Sequence, residues 1–135
     1  MKKYKHTVQY YETDRMGITH HSNYIRWMEE ARIDFFDQLG WNYKRLEDEG
    51  ILSPVTSVTC NYKRSTTFQD QVEISVQVLE LRDVRMKLRY TMTNNEGTVV
   101  CEASSEHCFL RKDGKLIRLR KDYPEFFDAI QIMLS

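Results

Sequence analysis

Asp14, the adjacent pair His20 and His21, and then Ser22-Asn23 at the head of a long helical pattern stand close together in the segment Tyr10–Gly40, YYETDRMGITHHSNYIRWMEEARIDFFDQLG. A carboxylate can activate water or attack an electrophile. An imidazole can orient an acid or protonate a leaving group, and free N–H groups at a helix start can hold an oxyanion. Together these parts suit addition to an activated carbonyl. Each residue also has a plainer reading. Asp14, with Gly17 behind it, reads on the bare sequence first as an Asx-type turn. His21 reads as a polar residue at a helix start, facing solvent. Tyr10 closes the first strand, where its hydroxyl bonds the Asp14 carboxylate or a ligand, or is simply half-buried. His20 is a bystander. A metal site from His20, His21 and Glu29 is disfavoured, because adjacent histidines rarely aim at one ion.

These residues must be held by the elements around them. Residues 4–11 read as a short strand near a sheet edge. From Tyr24 onward, Trp27, Met28, Ala31, Phe35 and Leu39 fall on one helical face, and Ile25 and Phe36 widen the stripe to about half the circumference. A stripe that wide suits a helix wrapped by a sheet. Arg32 falls inside it, so it must meet a carboxylate or a partner subunit. Ser22 or Asn23 can cap the helix start, and Gly40 suits its left-handed end. Residues 41–53 read as a short helix or irregular connection. After Pro54 the pattern turns to period two: Val58, Cys60 and Tyr62; Val72 to Val78 with a phase change near Leu79; Val84 to Met92; Val99 to Phe109. Turns fall at Arg82-Asp83, Asn94–Gly97 and Asp113-Gly114, the last a tight-hairpin signal. The end of the chain reads as one short helix after Pro124. Strand, long helix, then four or so antiparallel strands make an α+β domain, with the helix under a strongly twisted sheet.

The 135 residues suggest a single domain over 1–135. No apolar run approaches the ~20 residues of a membrane span, and the N-terminus lacks the apolar region of a signal peptide, so the expected location is cytoplasmic. Lys and Arg total 20 against 20 for Asp and Glu. No basic excess points to nucleic acid. Cys60, Cys101 and Cys108 lack the spacing of a zinc site or disulfide framework and read as reduced thiols.

The opening segment resembles the hotdog-fold acyl-CoA thioesterases of the 4-hydroxybenzoyl-CoA thioesterase type, in particular the short bacterial enzymes associated with the Tol–Pal gene cluster. The resemblance rests on Tyr10, Asp14, Gly17, His21, Asn23, Tyr24, Glu30-Ala31-Arg32 and Gly40, and extends through Tyr62-Lys63-Arg64-Ser65-Thr66 to Asp70. Arg15 and Met16 stand where the family often has small residues, and Ser65-Thr66 replaces Pro-Ala, which bears on the substrate mouth.

The resemblance implies a hotdog fold and hydrolysis of an acyl-CoA thioester, with Asp14 as nucleophile or general base. The helix start at His21 then forms the oxyanion hole, Tyr10 assists, and Gly17, Tyr24, Lys63 and Arg64 contact substrate. It implies no metal and no cofactor, coenzyme A entering as part of the substrate. It also implies a homodimer or homotetramer with sites formed across an interface. An acyl-carrier-protein thioesterase, a non-catalytic acyl-thioester-binding module and a hotdog dehydratase are the competing readings.

Overall fold

The computed structural model describes residues 1–134. The elements run β1 (Tyr4–Thr7), a single 3-10 turn (Tyr10–Glu12), α1 (Ser22–Gln38), α2 (Tyr43–Asp48), β2 (Val55–Tyr62), β3 (Gln71–Leu81), β4 (Arg85–Thr93), β5 (Val99–Cys108), α3 (Leu119–Asp122) and α4 (Pro124–Gln131). The strands form one antiparallel sheet in the order β1-β3-β4-β5-β2. α1 packs against it, burying Tyr24, Trp27, Met28, Ala31, Phe35 and Phe36. Each large side chain among these contributes roughly 1.5–3 kcal/mol on burial, so the helix is the spine of the core.

The period-two reading of residues 84–92 is present in the sheet: Met86, Leu88, Tyr90 and Met92 are all buried. The phase change near Leu79 is a register shift between Val78 and Glu80. Gly40, at φ +87°, closes α1 as expected. Its N–H donates to the Asp37 carbonyl and that of Trp41 to the Phe36 carbonyl, the paired bonds of a Schellman end.

Three local expectations are corrected. The first strand stops at Thr7 rather than continuing to residue 11, because the Glu12 carboxylate takes the Gln9 N–H at 2.8 Å and folds residues 10–12 into a turn. The apolar stripe is narrower than expected: Ile25 is 43% exposed, on a flank that the sheet does not cover, and Ile33 on the same flank is exposed too. Asp113-Gly114 forms its tight turn, but the arms join only through a Leu110–Leu116 bridge, short of a true hairpin.

The sheet carries one buried polar chain. The Tyr90 hydroxyl pairs with Ser105 Oγ, and that with His107 Nε2, each at 2.7 Å. Burial lowers the His107 pKa from 6.5 to about 4, reinforced by the nearby Arg32 guanidinium. The folded protein therefore keeps His107 neutral where the unfolded chain would protonate it. Its contribution is complete above about pH 6.5 and is lost as pH falls toward 4, by up to about 3 kcal/mol. Melting temperature measured between pH 7 and 4.5 is expected to fall in the wild type and to flatten in His107→Gln.

Candidate active site

The loop bearing Asp14 hangs from a buried acid. Glu12, 4% exposed, accepts hydrogen bonds from Gln9 N–H (2.8 Å), His6 Nε2 (2.8 Å) and Trp27 Nε1 (2.7 Å). Burial pushes its pKa up, but these donors outweigh burial and hold it below the usual carboxylate value. Its backbone carbonyl accepts from His20 N–H and from the Asn23 side-chain amide, tying the loop to the start of α1. Beyond it, Thr13 and Thr19 bridge, and Gly17 turns the chain at φ +82° while its carbonyl accepts from Thr67 Oγ1 at 2.7 Å.

Asp14 combines its two sequence readings. Oδ1 accepts the Met16 N–H at 2.8 Å, an Asx turn. Oδ2 has no hydrogen-bond partner among the described residues. One oxygen therefore fixes the carboxylate and the other is free to act.

The helix start is capped differently from expectation. Neither Ser22 nor Asn23 is the capping acceptor. His21 occupies the N-cap position, and His20 Nδ1 accepts the Ser22 N–H at 3.2 Å. Asn23, buried, points its amide inward and donates to the Glu12 and His20 carbonyls. Asn23 N–H is taken by the His20 carbonyl and Tyr24 N–H by that of His21. The N–H of His21 itself forms no hydrogen bond among the described residues. It is thus an open donor at the positive end of a 17-residue helix. The Tyr62 hydroxyl donates to the His21 carbonyl at 3.1 Å and restrains this peptide.

Asp14, His21, Tyr24, Tyr62, Lys63 and Arg64 line one cavity of about 300 Å³. Most of the residues expected from sequence thus meet at one place. Lys63 and Arg64 are exposed at its rim and form no ion pair among the described residues. Their backbone N–H groups share the Val100 carbonyl. Tyr24 seats the wall: its hydroxyl pairs with Thr66 Oγ1 at 2.9 Å, which pairs with Thr19 Oγ1 at 2.6 Å. This chain of hydroxyls uses the Thr that replaces Ala in the resembled pattern. Burial raises the Tyr24 pKa, so the phenol is a neutral structural group at ordinary pH.

Tyr10 and Gly17 lie on the opposite side of Asp14, along a wide depression of about 1030 Å³ with Arg15 and Phe68. Tyr10 makes no hydrogen bond to Asp14 among the described residues and is not the half-buried strand residue expected. It stands in the 3-10 turn, 75% exposed and edge-on to Phe68, and its hydroxyl bonds nothing among the described residues. Its displacement follows from the Glu12-driven turn that ends the strand early.

Sequence reasoning missed Glu12 and Tyr62. Tyr62 was visible as a strand residue and as part of the resembled motif but was given no role, and its approach to His21 depends on how β2 lies against α1. Burial and the Cys60 thiol push its phenol pKa up to about 12. All three cysteines are free thiols. Among the described residues no group of three His, Cys, Asp or Glu side chains could hold a metal ion, and no helix is long and apolar enough to cross a membrane. Arg32 is half-buried and meets no carboxylate among the described residues, contrary to one of the two expectations for it.

The chain is similar to a 1,4-dihydroxy-2-naphthoyl-CoA (DHNA-CoA) thioesterase structure from Staphylococcus aureus. The two are 32% identical with a TM-score of 0.92, covering 97% of this chain and 89% of that one. It is 26% identical to the 1,4-dihydroxy-2-naphthoyl-CoA hydrolase of Thermosynechococcus vestitus, over 82% of this chain and 77% of that protein. It is 25% identical to the acyl-CoA thioester hydrolase YbgC of Escherichia coli, over 71% of this chain and 72% of that protein. The model of the Thioesterase-like superfamily matches residues 8–131. An antiparallel sheet with one long helix packed on it, and Asp14 lining one cavity with the residue at that helix's start, agrees with this match, and the chain belongs to the hotdog-fold Thioesterase-like superfamily.

Proposed function

We propose that the protein hydrolyses acyl-CoA thioesters, with Asp14 supplying the attack and the His21 N–H receiving the oxyanion. The observation that carries this reading is that Asp14, which has an unbonded carboxylate oxygen, and His21, which has an unengaged N–H, line the same small cavity. A thioester carbonyl placed there gains a nucleophile, or an activated water, on one side and a charge-stabilising donor on the other. Lys63 and Arg64 at the rim suit the phosphates of coenzyme A. They suit an acidic acyl carrier protein equally, which is the second reading. Gly17 keeps the Asp14 turn open, and Tyr24 shapes the wall. Three free thiols fit the reducing cytoplasm. The Tyr10, Asp14, Gly17 and His21 pattern supports the Tol–Pal-associated subgroup, and the likeness to a 1,4-dihydroxy-2-naphthoyl-CoA hydrolase supports an aromatic acyl group instead.

The assembly we propose is a dimer built on β2. β2 is a sheet edge with exposed Val55 and Val58, and α1 exposes Ile25 and Ile33. A free, apolar edge of this kind invites pairing with a second copy.

The test is a panel of short, long and aromatic acyl-CoAs, and the same acyl groups on a carrier protein, assayed by release of free thiol. Hydrolysis of the CoA series is expected. Thiol release from the carrier-protein series alone supports the second reading, and survival of every thioester rejects hydrolysis altogether.

A further inference from the structure

Sulfur-bearing side chains from α1 and three strands meet in one layer between the helix and the sheet, and none of them lines the Asp14 cavity. Cys60 of β2 stands opposite Ala103 of β5, and Cys101 of β5 stands opposite Tyr62. The two cysteines are therefore diagonal neighbours on adjacent strands, on the same face of the sheet. The Cys60 thiol donates to Met28 Sδ of α1 at 3.6 Å and accepts a hydrogen bond from the Cys101 thiol. Met92 of β4, directly opposite Cys101, adds a second thioether to the layer. Cys101, Met28 and Met92 are buried, and Cys60 is half-buried.

This arrangement is a poor one for a disulfide. Diagonal neighbours across an antiparallel pair stand roughly 7–8 Å apart at Cα, and a disulfide needs less than about 7 Å. All three cysteines are free thiols. A metal ion fits better. Sulfurs that share an ion in a trigonal site lie about 4 Å apart, each metal–sulfur bond being about 2.3 Å. The separation of Cys60 Sγ from Met28 Sδ, 3.6 Å, is close to that value. The donors also choose the ion. Thiolates and thioethers are soft ligands, which suit copper(I) rather than magnesium, calcium or manganese. Structural zinc(II) sites take four ligands drawn from Cys and His, and no third His, Cys, Asp or Glu joins the two cysteines among the described residues. The partial exposure of Cys60 gives the ion a way in. Its side chain stands off the sheet, perpendicular to the direction in which a second β2 would pair, so the dimer proposed above leaves it facing α1.

We propose that Cys60, Cys101 and Met28 form a binding site for copper(I). Each thiol gives up its proton to solvent as its sulfur takes the ion, and the thioether donates a lone pair with no proton to lose. The site needs no thioester and no catalytic group, so it is independent of the hydrolytic reading.

The experiment titrates the full-length protein, under anaerobic conditions, with the copper(I)–bicinchoninate complex, whose colour fades as copper is withdrawn. The wild type is expected to withdraw one copper per chain. Cys108→Ser is expected to do the same, since Cys108 stands opposite Arg85, at the far end of β5 from Cys101. Cys60→Ala and Cys101→Ala are expected to withdraw none. Met28→Leu, which keeps the volume and removes the thioether, is expected to weaken retention about 10-fold, the low end of what a lost supporting group costs a metal site. X-ray absorption of the loaded wild type is expected to show sulfur ligands alone, at about 2.3 Å. Thermal melting of the metal-free variants checks their folding. If Cys101→Ala does not fold, Cys60→Ala and Met28→Leu carry the test. A wild type that takes no copper from the chelator overturns the inference. Equal retention by a folded Cys60→Ala overturns it too, as does unweakened retention by Met28→Leu or a nitrogen or oxygen ligand in the absorption spectrum.

Discussion

Asp14→Asn is expected to lower kcat/KM on any accepted acyl-CoA by at least about 10²-fold, the loss that follows removal of an acid–base group or nucleophile. The substitution is a clean one. An asparagine Oδ1 still accepts the Met16 N–H, so the Asx turn and the loop that it shapes survive. What disappears is the charge on the second oxygen. Thermal unfolding should therefore stay close to wild type while turnover collapses. A variant as active as wild type removes Asp14 from the mechanism. Single-turnover hydrolysis in labelled water separates two routes that this substitution affects alike. Label within the Asp14 carboxylate marks direct attack through an acyl-enzyme anhydride that water opens at the aspartyl carbon, whereas label confined to the product acid is what water activation, or opening of the anhydride at the acyl carbon, would give.

Glu12→Ala should cost stability instead, by about 3 kcal/mol, because it strands the Trp27 indole N–H, the His6 ring and the Gln9 N–H in a buried place. For a chain of this size that corresponds to a fall of roughly 10 °C in melting temperature. Activity should drop as well, since the Glu12 backbone joins the Asp14 loop to the helix start. Glu12→Gln keeps the shape but turns one acceptor oxygen into a donor, and its melting temperature should fall between the two. The pH dependence has a definite sign. The depressed carboxylate stabilises the fold above the usual carboxylate value and loses that effect as pH falls through its lower native value. This acid step lies below the His107 window and should vanish in Glu12→Ala.

The division between what was legible in the sequence and what was not follows the range of the interactions. α1 and β4 were readable because their residues repeat at the period of their own secondary structure: Trp27, Met28, Ala31 and Phe35 in one case, Met86 to Met92 in the other. Asp14, His21, Tyr24, Lys63 and Arg64 were found through a motif whose parts lie in two segments, and the fold brings them to one cavity. Periodicity shows which side chains share a face but not what covers that face, so Ile25 was placed inside and stands exposed. Glu12 could not be found because its partners come from β1, the loop and α1. The same side chain folded Tyr10 out of the strand where periodicity had put it. The helix cap was misassigned because Ser22 and Asn23 are good capping types, and only the three-dimensional position of His20 shows that its ring takes the first N–H.

The Asx turn at Asp14 has a stereochemical consequence. A carboxylate free to spin has two equivalent oxygens, and this one does not: the Met16 N–H holds Oδ1, so approach is through Oδ2 alone. A thioester carbonyl is planar with two prochiral faces. Under the mechanism we propose, in which its oxygen is directed at the His21 N–H and its carbon is presented to a single fixed oxygen, only one of those faces would be open to addition. The tetrahedral adduct would then form with one handedness, set by a backbone turn and independent of the acyl group that happens to be bound.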